Sequence, residues 1–229
     1  MRKLSIIIPV FNEKDTVTEI IRKVFAVPVL DYTKEIIIVD DGSTDGSAII
    51  LENLQAHFPF RLISQPKNQG KGAALRAGFK FASGEIILIQ DADLEYDPAD
   101  WEKILMAFQN PAVSVVYGSR NLHPKRRGYR LFVFGVAFLT KLINLLFKSN
   151  LTDSYTGYKA FRQETLKKIE LVSSDFEIEA EITAKLLQAG EKIIEVPIDY
   201  FPRRFFEGKK IHWQDGLKGI WTIIKIWAK

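Results

Sequence analysis

Asp91-Ala92-Asp93 lies within Gln90-Asp91-Ala92-Asp93-Leu94-Glu95, directly after the apolar run Ile86 to Ile89. Aspartates two apart point to the same side of an extended chain. At a strand end, where the backbone turns, both carboxylates can reach one ion. Hard oxygen ligands of this kind suit Mg²⁺ or Mn²⁺, which keep several waters and take further ligands from a phosphate. The same spacing also occurs in ordinary solvated acidic loops, so the rest of the chain decides between the two.

The chain carries a net charge of +4, and its basic residues are clustered. Arg120, Lys125, Arg126, Arg127 and Arg130 follow one another with no acid between Ser119 and Arg130. Arg203, Arg204, Lys209 and Lys210 form a second cluster, relieved only by Glu207. Such patches attract anions: nucleic acid, a phosphorylated substrate or acidic lipid headgroups. Nucleic acid is set aside, because the acidic strand end opposes a phosphate backbone and no nucleic-acid motif is present. The absence of cysteine excludes a disulfide framework, a zinc-thiolate site and a thiol nucleophile. Asn68-Gln69-Gly70-Lys71-Gly72 lacks the G-x-x-x-x-G-K-[ST] spacing of a P-loop; its glycines and the alanines after them suit a helix packed close to a sheet.

The elements that must position these residues alternate. Apolar strands are expected at Leu4 to Val10, Glu35 to Val39, Arg61 to Ser64, Ile86 to Ile89 and Val113 to Tyr117. Between them lie helical stretches, one with Val17, Ile20, Ile21 and Val24 on one face behind a cap at Asp15 or Thr16. The alternation predicts an α/β fold, a Rossmann-like, mostly parallel sheet flanked by helices. Strands one, two and four each end in carboxylates, and open α/β sheets bind ligands at such ends. With 229 residues, 47% of them hydrophobic, and no linker or repeat, one domain over 1–229 is expected, with halves 1–120 and 121–229. Met-Arg-Lys runs straight into a short apolar run that reads as a first strand rather than a signal peptide.

The second half changes character. Leu131 to Phe147 is strongly apolar, and Thr140, Lys141, Asn144 and Lys148 form a narrow polar stripe on a helix. Seventeen residues with an internal lysine are marginal for a bilayer span, which needs ~20. Core burial and a membrane interface are both open for this segment. The last helix favours the interface: Lys218, Thr222, Lys225 and Lys229 form one stripe, Leu217, Ile220, Trp221 and Ile224 lie opposite, and Trp213 and Trp227 are nearby. Lysine with tryptophan on an amphipathic helix is an interfacial-anchor pattern. Peripheral binding to a membrane surface, at its cytoplasmic face, is the expectation. Asp153 to Arg162 reads as a turn into a short strand, Asp175 to Gln188 as an acid-rich helix and Lys192 to Tyr200 as a last strand.

Pro9-Val10-Phe11-Asn12-Glu13, Val39 to Asp45, Asn68 to Gly72 and Asp91-Ala92-Asp93, in that order, resemble the family 2 glycosyltransferases. Gly118-Ser119-Arg120, Asp153 to Arg162, and Glu195-Val196-Pro197 followed by Arg203 resemble the polyprenyl-phosphate sugar synthases, the dolichyl-phosphate mannose synthase group. The resemblance implies a GT-A fold and a nucleotide-sugar donor bound by Pro9, Phe11, Glu13, Val39, Asp41, Asp91, Ala92 and Asp93. It implies Mg²⁺ or Mn²⁺ on Asp91 and Asp93, with Glu95 as a further ligand; glutamine is the residue associated with that place in the mannose synthases. Arg120, Arg130, Arg203 and the neighbouring Arg204 would meet the phosphate of a polyprenyl (dolichyl or undecaprenyl) acceptor. A separate membrane-protein partner is compatible with this scheme.

The chemistry points the same way. Breaking a sugar C1–O bond requires stabilisation of a departing nucleoside diphosphate, which a divalent ion provides as a Lewis acid. A phosphate monoester acceptor, with a second pKa of about 6, is already ionised at pH 7 and needs no base. Arginines that hold it in line then matter more, and the resemblance implies inversion at C1. A glycan hydroxyl acceptor would need a carboxylate base, for which Asp175 or Glu177 are the candidates. A catalytically silent membrane-associated nucleotide-binding module is the remaining alternative, and the clustered carboxylates speak against it.

Overall fold

A computed structural model describes residues 2–122, 130–203 and 213–229; for 130–133 and 213 it describes the backbone alone. Seven strands form one sheet in the order β3-β2-β1-β4-β6-β5-β7. They are β1 (Arg2–Val10), β2 (Tyr32–Asp40), β3 (Arg61–Ser64), β4 (Ile86–Ile89), β5 (Val115–Ser119), β6 (Lys159–Arg162) and β7 (Ile193–Pro197). Every neighbouring pair is parallel except the two that involve β6. The helices are α1 (Val17–Ala26), α2 (Ser47–Leu54), α3 (Lys71–Phe79), α4 (Trp101–Ala107), α5 (Arg130–Phe147), α6 (Gln163–Lys167), α7 (Ile178–Gln188) and α8 (Trp213–Trp227).

The period of two in β1 sorts its side chains between two cores. Leu4, Ile6, Ile8 and Val10 join α1 and α4 through Val17, Ile20, Trp101 and Ile104. Ile7 points the other way, with Ile37, Val39, Ile87 and Ile89, against Leu75 of α3 and Ile178 and Ile182 of α7. Burial on both faces explains why these strands read as unbroken apolar runs rather than alternating ones. α3 gets close to the sheet because Gly78 has no Cβ: one there would press on Ile7 and Val39.

The topology gathers the chemistry. β1, β2, β3, β4, β5 and β7 run in one direction, so the segments that follow them emerge at one edge of the sheet. β6 runs the other way, so the segment preceding it, 153–158, reaches that same edge. β5 is shifted relative to the sequence expectation, ending at Ser119 rather than Tyr117, and thus delivers Arg120.

Trp101 anchors this edge from below. It is fully buried, and its indole N–H donates to Gln90 Oε1 at 3.0 Å, where the Tyr158 hydroxyl also donates at 2.6 Å. Gln90 in turn donates to the Asp91 carbonyl at 3.0 Å. Trp101→Ala is therefore expected to cost about 3–5 kcal/mol by urea unfolding and to loosen the turn after β4.

The polar stripe expected on α5 divides differently. Thr140 is buried against Ser154 (Oγ1 to Oγ 2.9 Å), and Asn144 holds Leu151 through its N–H (2.9 Å) and C=O (2.8 Å). Those two polar residues face inward because a polar segment lies there to satisfy them. Leu139 and Ile143 pack with Ile223 of α8. What faces outward is apolar: Phe134 (76% exposed), Phe138 and Leu145 (77%), with Lys141 among them. On α8, Ile223 and Ile226 face inward, while Leu217, Trp221 (67% exposed), Ile224 and Trp227 face out beside Lys218 and Lys225. Among the described residues, no helix is long and apolar enough to cross a membrane.

Candidate active site

The turn after β1 is fastened to the turn after β2. Asn12 has a left-handed backbone (φ 51°), and its side-chain carbonyl accepts from Thr44 N at 2.8 Å. Glu13 N donates to Ser47 Oγ at 2.8 Å, and that hydroxyl donates to Asp45 at 2.6 Å. Glu13 is thereby placed, nearly buried, at the strand edge. Asp41 is buried as well, and its two carboxylate oxygens accept from Gln69 N (2.9 Å) and Gly70 N (2.8 Å). Burial pushes its carboxyl upward, and those two N–H groups pull against the rise. Asp41 thus holds the glycine-rich turn onto the end of β2. Pro9 and Val39 are register partners in β1 and β2; the Val39 side chain is fully buried in the core and Phe11 is half-buried at the edge.

The aspartate pair sits on the next turn. Ala92 is buried and anchors it, with Asp91 and Asp93 on either side, partly accessible. Asp91 Oδ1 meets Lys71 Nζ at 2.7 Å. Gly157 lies directly on the Asp91 carboxylate, where a Cβ would run into Oδ2, and its N–H donates to the Tyr96 hydroxyl at 3.0 Å. The Asp93 carboxyl is pushed up to about 7, first by burial and then by the negative charges of Asp91 and Glu95. Glu95 is turned toward the end of the sheet: its oxygens accept from the Tyr200 hydroxyl and Arg203 N, both at 2.8 Å.

Arg203 reaches back across this edge. Its Nε donates to the Asp93 carbonyl at 2.8 Å, and its Nη2 meets Glu13 at 2.6 Å. Burial works against its charge, but Glu13 and Asp93 hold the guanidinium above the usual arginine range. Arg203 therefore ties the segment after β7 to both the first turn and the aspartate turn. Arg120 makes a two-pronged contact with fully buried Asp153, Nε and Nη2 each at 2.7 Å, and lies over the Tyr200 ring at 5.1 Å. The side chain of Arg130 and the whole of Arg204, with Lys125, Arg126, Arg127, Lys209 and Lys210, lie outside the described residues.

Three residues at this edge were not among the sequence candidates. Lys71 bridges Asp91 and Glu179, the second at 2.9 Å; Glu179 takes Lys159 on its other oxygen. Burial opposes its charge, yet Asp91 and Glu179 together hold the Lys71 ammonium above the usual lysine range. A lysine in the first turn of a glycine-rich helix, facing a strand-end acid across the sheet, is the signal that could have marked it. Glu179 and Lys159 carried no such signal, since each reads locally as part of a charged helix or strand. The Asp175 backbone lies against Gly70 and Gly72 at the start of α3, and its carboxylate is paired to Lys218 of α8 at 3.4 Å.

The residues fit a divalent cation. The available ligands are carboxylate oxygens, Asp93 is held up by burial and then by the charges of Asp91 and Glu95, and an ammonium already stands as a cation on Asp91. Among the described residues no three carboxylates or histidines close around one point. Asp91 and Asp93 would therefore form part of a shell, as is usual for Mg²⁺ beside phosphates.

Comparisons with known proteins bear on the family and the fold. The chain is 31% identical over 212 residues to the dolichol-phosphate mannosyltransferase of Pyrococcus furiosus, covering 90% of this chain and 59% of the relative. It is 30% identical over 243 aligned positions to the dolichyl-phosphate beta-glucosyltransferase ALG5A of Trichomonas vaginalis, covering 97% of this chain and 72% of the relative. The chain thus spans about three fifths of the length of the Pyrococcus protein. Glucosyl-3-phosphoglycerate synthase of Mycobacterium tuberculosis, solved with UDP, superposes with a TM-score of 0.76 over 99% of this chain and 80% of its own, at 20% identity. Its complex with Mn²⁺, UDP and phosphoglyceric acid gives 0.75 over 99% and 78%, also at 20% identity. At that identity the likeness establishes the fold, a mostly parallel sheet with flanking helices of the GT-A type. The model of glycosyl transferase family 2 matches residues 5–170, and the chain belongs to that family.

Proposed function

We propose that the chain transfers a hexose from a UDP- or GDP-sugar to a polyprenyl phosphate at a membrane surface, with inversion at C1. The observation that carries this reading is the single strand edge that holds Asp91, Asp93, Glu13 and Asp41, where Arg203 ties the Asp93 carbonyl to Glu13. Relatives whose names specify dolichyl or undecaprenyl phosphate support the acceptor. Pro9, Phe11, Glu13 and Asp41 would line the nucleoside, with Val39, its side chain buried in the core, contributing through its backbone, and Asp91 and Asp93 would hold Mg²⁺ or Mn²⁺ on the diphosphate. Glu95 would join them as a ligand only by giving up its bonds to Tyr200 and Arg203 N. The bound ion supplies Lewis-acid stabilisation to the departing diphosphate.

An acceptor phosphate oxygen forms the new bond to C1 as the C1–O bond to the diphosphate breaks and its electron pair leaves with the nucleotide. An α-linked donor gives a β-linked lipid phosphosugar. The acceptor is already anionic, so the protein's task is to hold it in line. Arg120, Arg130, Arg203 and Arg204 do this. Asp153 fixes the Arg120 fork, so that its orientation is set before the acceptor arrives. A glycan hydroxyl acceptor would instead need Asp175, which is paired with Lys218 at 3.4 Å, or Glu177 as its base.

The outward faces of α5 and α8 supply the lipid side of the reading. Phe134, Phe138, Leu145, Leu217 and Trp221 are exposed on two helices that pack together, with lysines beside them. Aromatic and aliphatic groups framed by lysine suit an anionic bilayer surface. The protein is expected to float with anionic liposomes, and Phe138→Ser with Trp221→Ser to remain in the soluble fraction. A wild-type protein that stays soluble would contradict the membrane limb. Donor and metal are tested by calorimetry with UDP- and GDP-sugars, with and without Mn²⁺. Binding that needs the metal is expected; no binding of either nucleotide class would overturn the assignment.

A further inference from the structure

Lys71 is the first residue of α3, directly after Gly70, whose N–H is spent on Asp41. Its side chain, 14% exposed, lies between Asp91 Oδ1 at 2.7 Å and Glu179 Oε1 at 2.9 Å. Glu179 is buried and is held on its other oxygen by Lys159, which also donates to the Thr156 carbonyl at 2.5 Å. Four charges therefore stand in a row, Asp91, Lys71, Glu179 and Lys159, and their formal sum is zero.

Burying such a row is costly, because each ion gives up its hydration. Apolar residues of similar size would join α3 to α7 with less loss. The arrangement gains a reason from where its outer end lies. Asp91 is one of the two carboxylates assigned to the divalent ion, and an ammonium 2.7 Å from its Oδ1 already holds a positive charge there. Lys71 and the ion would thus repel one another across one carboxylate. Glu179 gives Lys71 a second anchor that survives the exchange, and the N-terminus of the nine-residue α3 favours an anion beside it.

We infer that Lys71 is the resident counter-cation of Asp91, which yields that carboxylate to the divalent ion and passes, still anchored on Glu179, to the donor diphosphate. This rests on the reading of Asp91 and Asp93 as metal ligands. It makes metal and nucleotide binding mutually favourable. Before the nucleotide arrives, Lys71 opposes the ion; afterwards Lys71 has a diphosphate to bind and the ion is unopposed. Linkage requires the effect to be the same in both directions.

The test is a Mn²⁺ titration followed by the electron paramagnetic resonance signal of free Mn²⁺, with and without UDP or GDP. Lys71→Met is expected to bind Mn²⁺ about tenfold more tightly than wild type without nucleotide, and to bind nucleotide about tenfold more weakly at saturating Mn²⁺, a coupling of ordinary size. A merely structural lysine would weaken both. Lys71→Gln, which retains a contact for Glu179, should behave alike and covers a failure of the methionine variant to fold. Glu179→Gln should shift metal affinity the opposite way, because Lys71 then rests on Asp91 alone. Unchanged or weaker Mn²⁺ binding by folded Lys71 variants would overturn the inference while leaving the metal site standing. A wild type that binds no Mn²⁺ even with either nucleotide would overturn both.

Discussion

Asp91→Asn is expected to lower turnover by roughly three orders of magnitude while the protein keeps its fold. Asparagine preserves the shape and one oxygen but removes the charge that a hard divalent ion requires. Losing several kcal/mol of leaving-group stabilisation corresponds to that factor, at tenfold per 1.36 kcal/mol. The fold should survive because Lys71 keeps Glu179 as a partner and the turn is anchored independently, by Ala92 in the core and Gln90 on Trp101. The check is kcat/KM at saturating Mn²⁺ alongside a thermal melt. Full activity in a folded Asp91→Asn protein would remove the metal assignment.

Gly157→Ala is expected to be nearly as damaging, although it removes nothing. The added methyl would run into Asp91 Oδ2 and come within 3.0 Å of the Tyr96 ring. The ring is buried and stacked on Tyr158 at 4.8 Å, so the carboxylate is the group that yields. A ligand displaced by about 1 Å costs about 100-fold in rate. The distinguishing readout is that Mn²⁺ affinity falls together with turnover, while the melting temperature shifts by only a few degrees. Unaltered Mn²⁺ affinity would mean that the 153–158 segment does not press on Asp91 as the geometry requires.

Both predictions depend on contacts that the sequence discloses unevenly. The strands were legible because burial on both faces leaves apolar runs such as Leu4 to Val10 and Ile86 to Ile89, and the acids that follow them lie at the edge proposed to bind the donor. The place of β6 was not legible. Periodicity tells a strand from a helix but carries no direction, and only antiparallel insertion between β4 and β5 brings 153–158 onto Asp91. The outward face of α5 was likewise hidden. Thr140 and Asn144 look solvent-facing until Ser154 and Leu151 fold back to bond them, and hydropathy cannot register partners 14 and 7 residues away. Glu95 shows the same limit from the other side. Its spacing from Asp91 and Asp93 suggests a ligand, whereas its bonds to Tyr200 and Arg203 join the aspartate turn to the segment after β7. Arg203, expected on the acceptor side alone, also contacts Glu13 on the donor side. The two halves of the chain therefore meet through side chains that sequence reading had assigned to separate tasks.

The central claim, transfer to a lipid phosphate, is tested most directly by offering labelled UDP- and GDP-sugars to the protein in anionic vesicles containing undecaprenyl or dolichyl phosphate, with free oligosaccharides in parallel. The account predicts metal-dependent passage of label into an organic-extractable phosphosugar whose new linkage is β when the donor is α. Label appearing on the oligosaccharides, or on no acceptor with any sugar of either nucleotide, would contradict it.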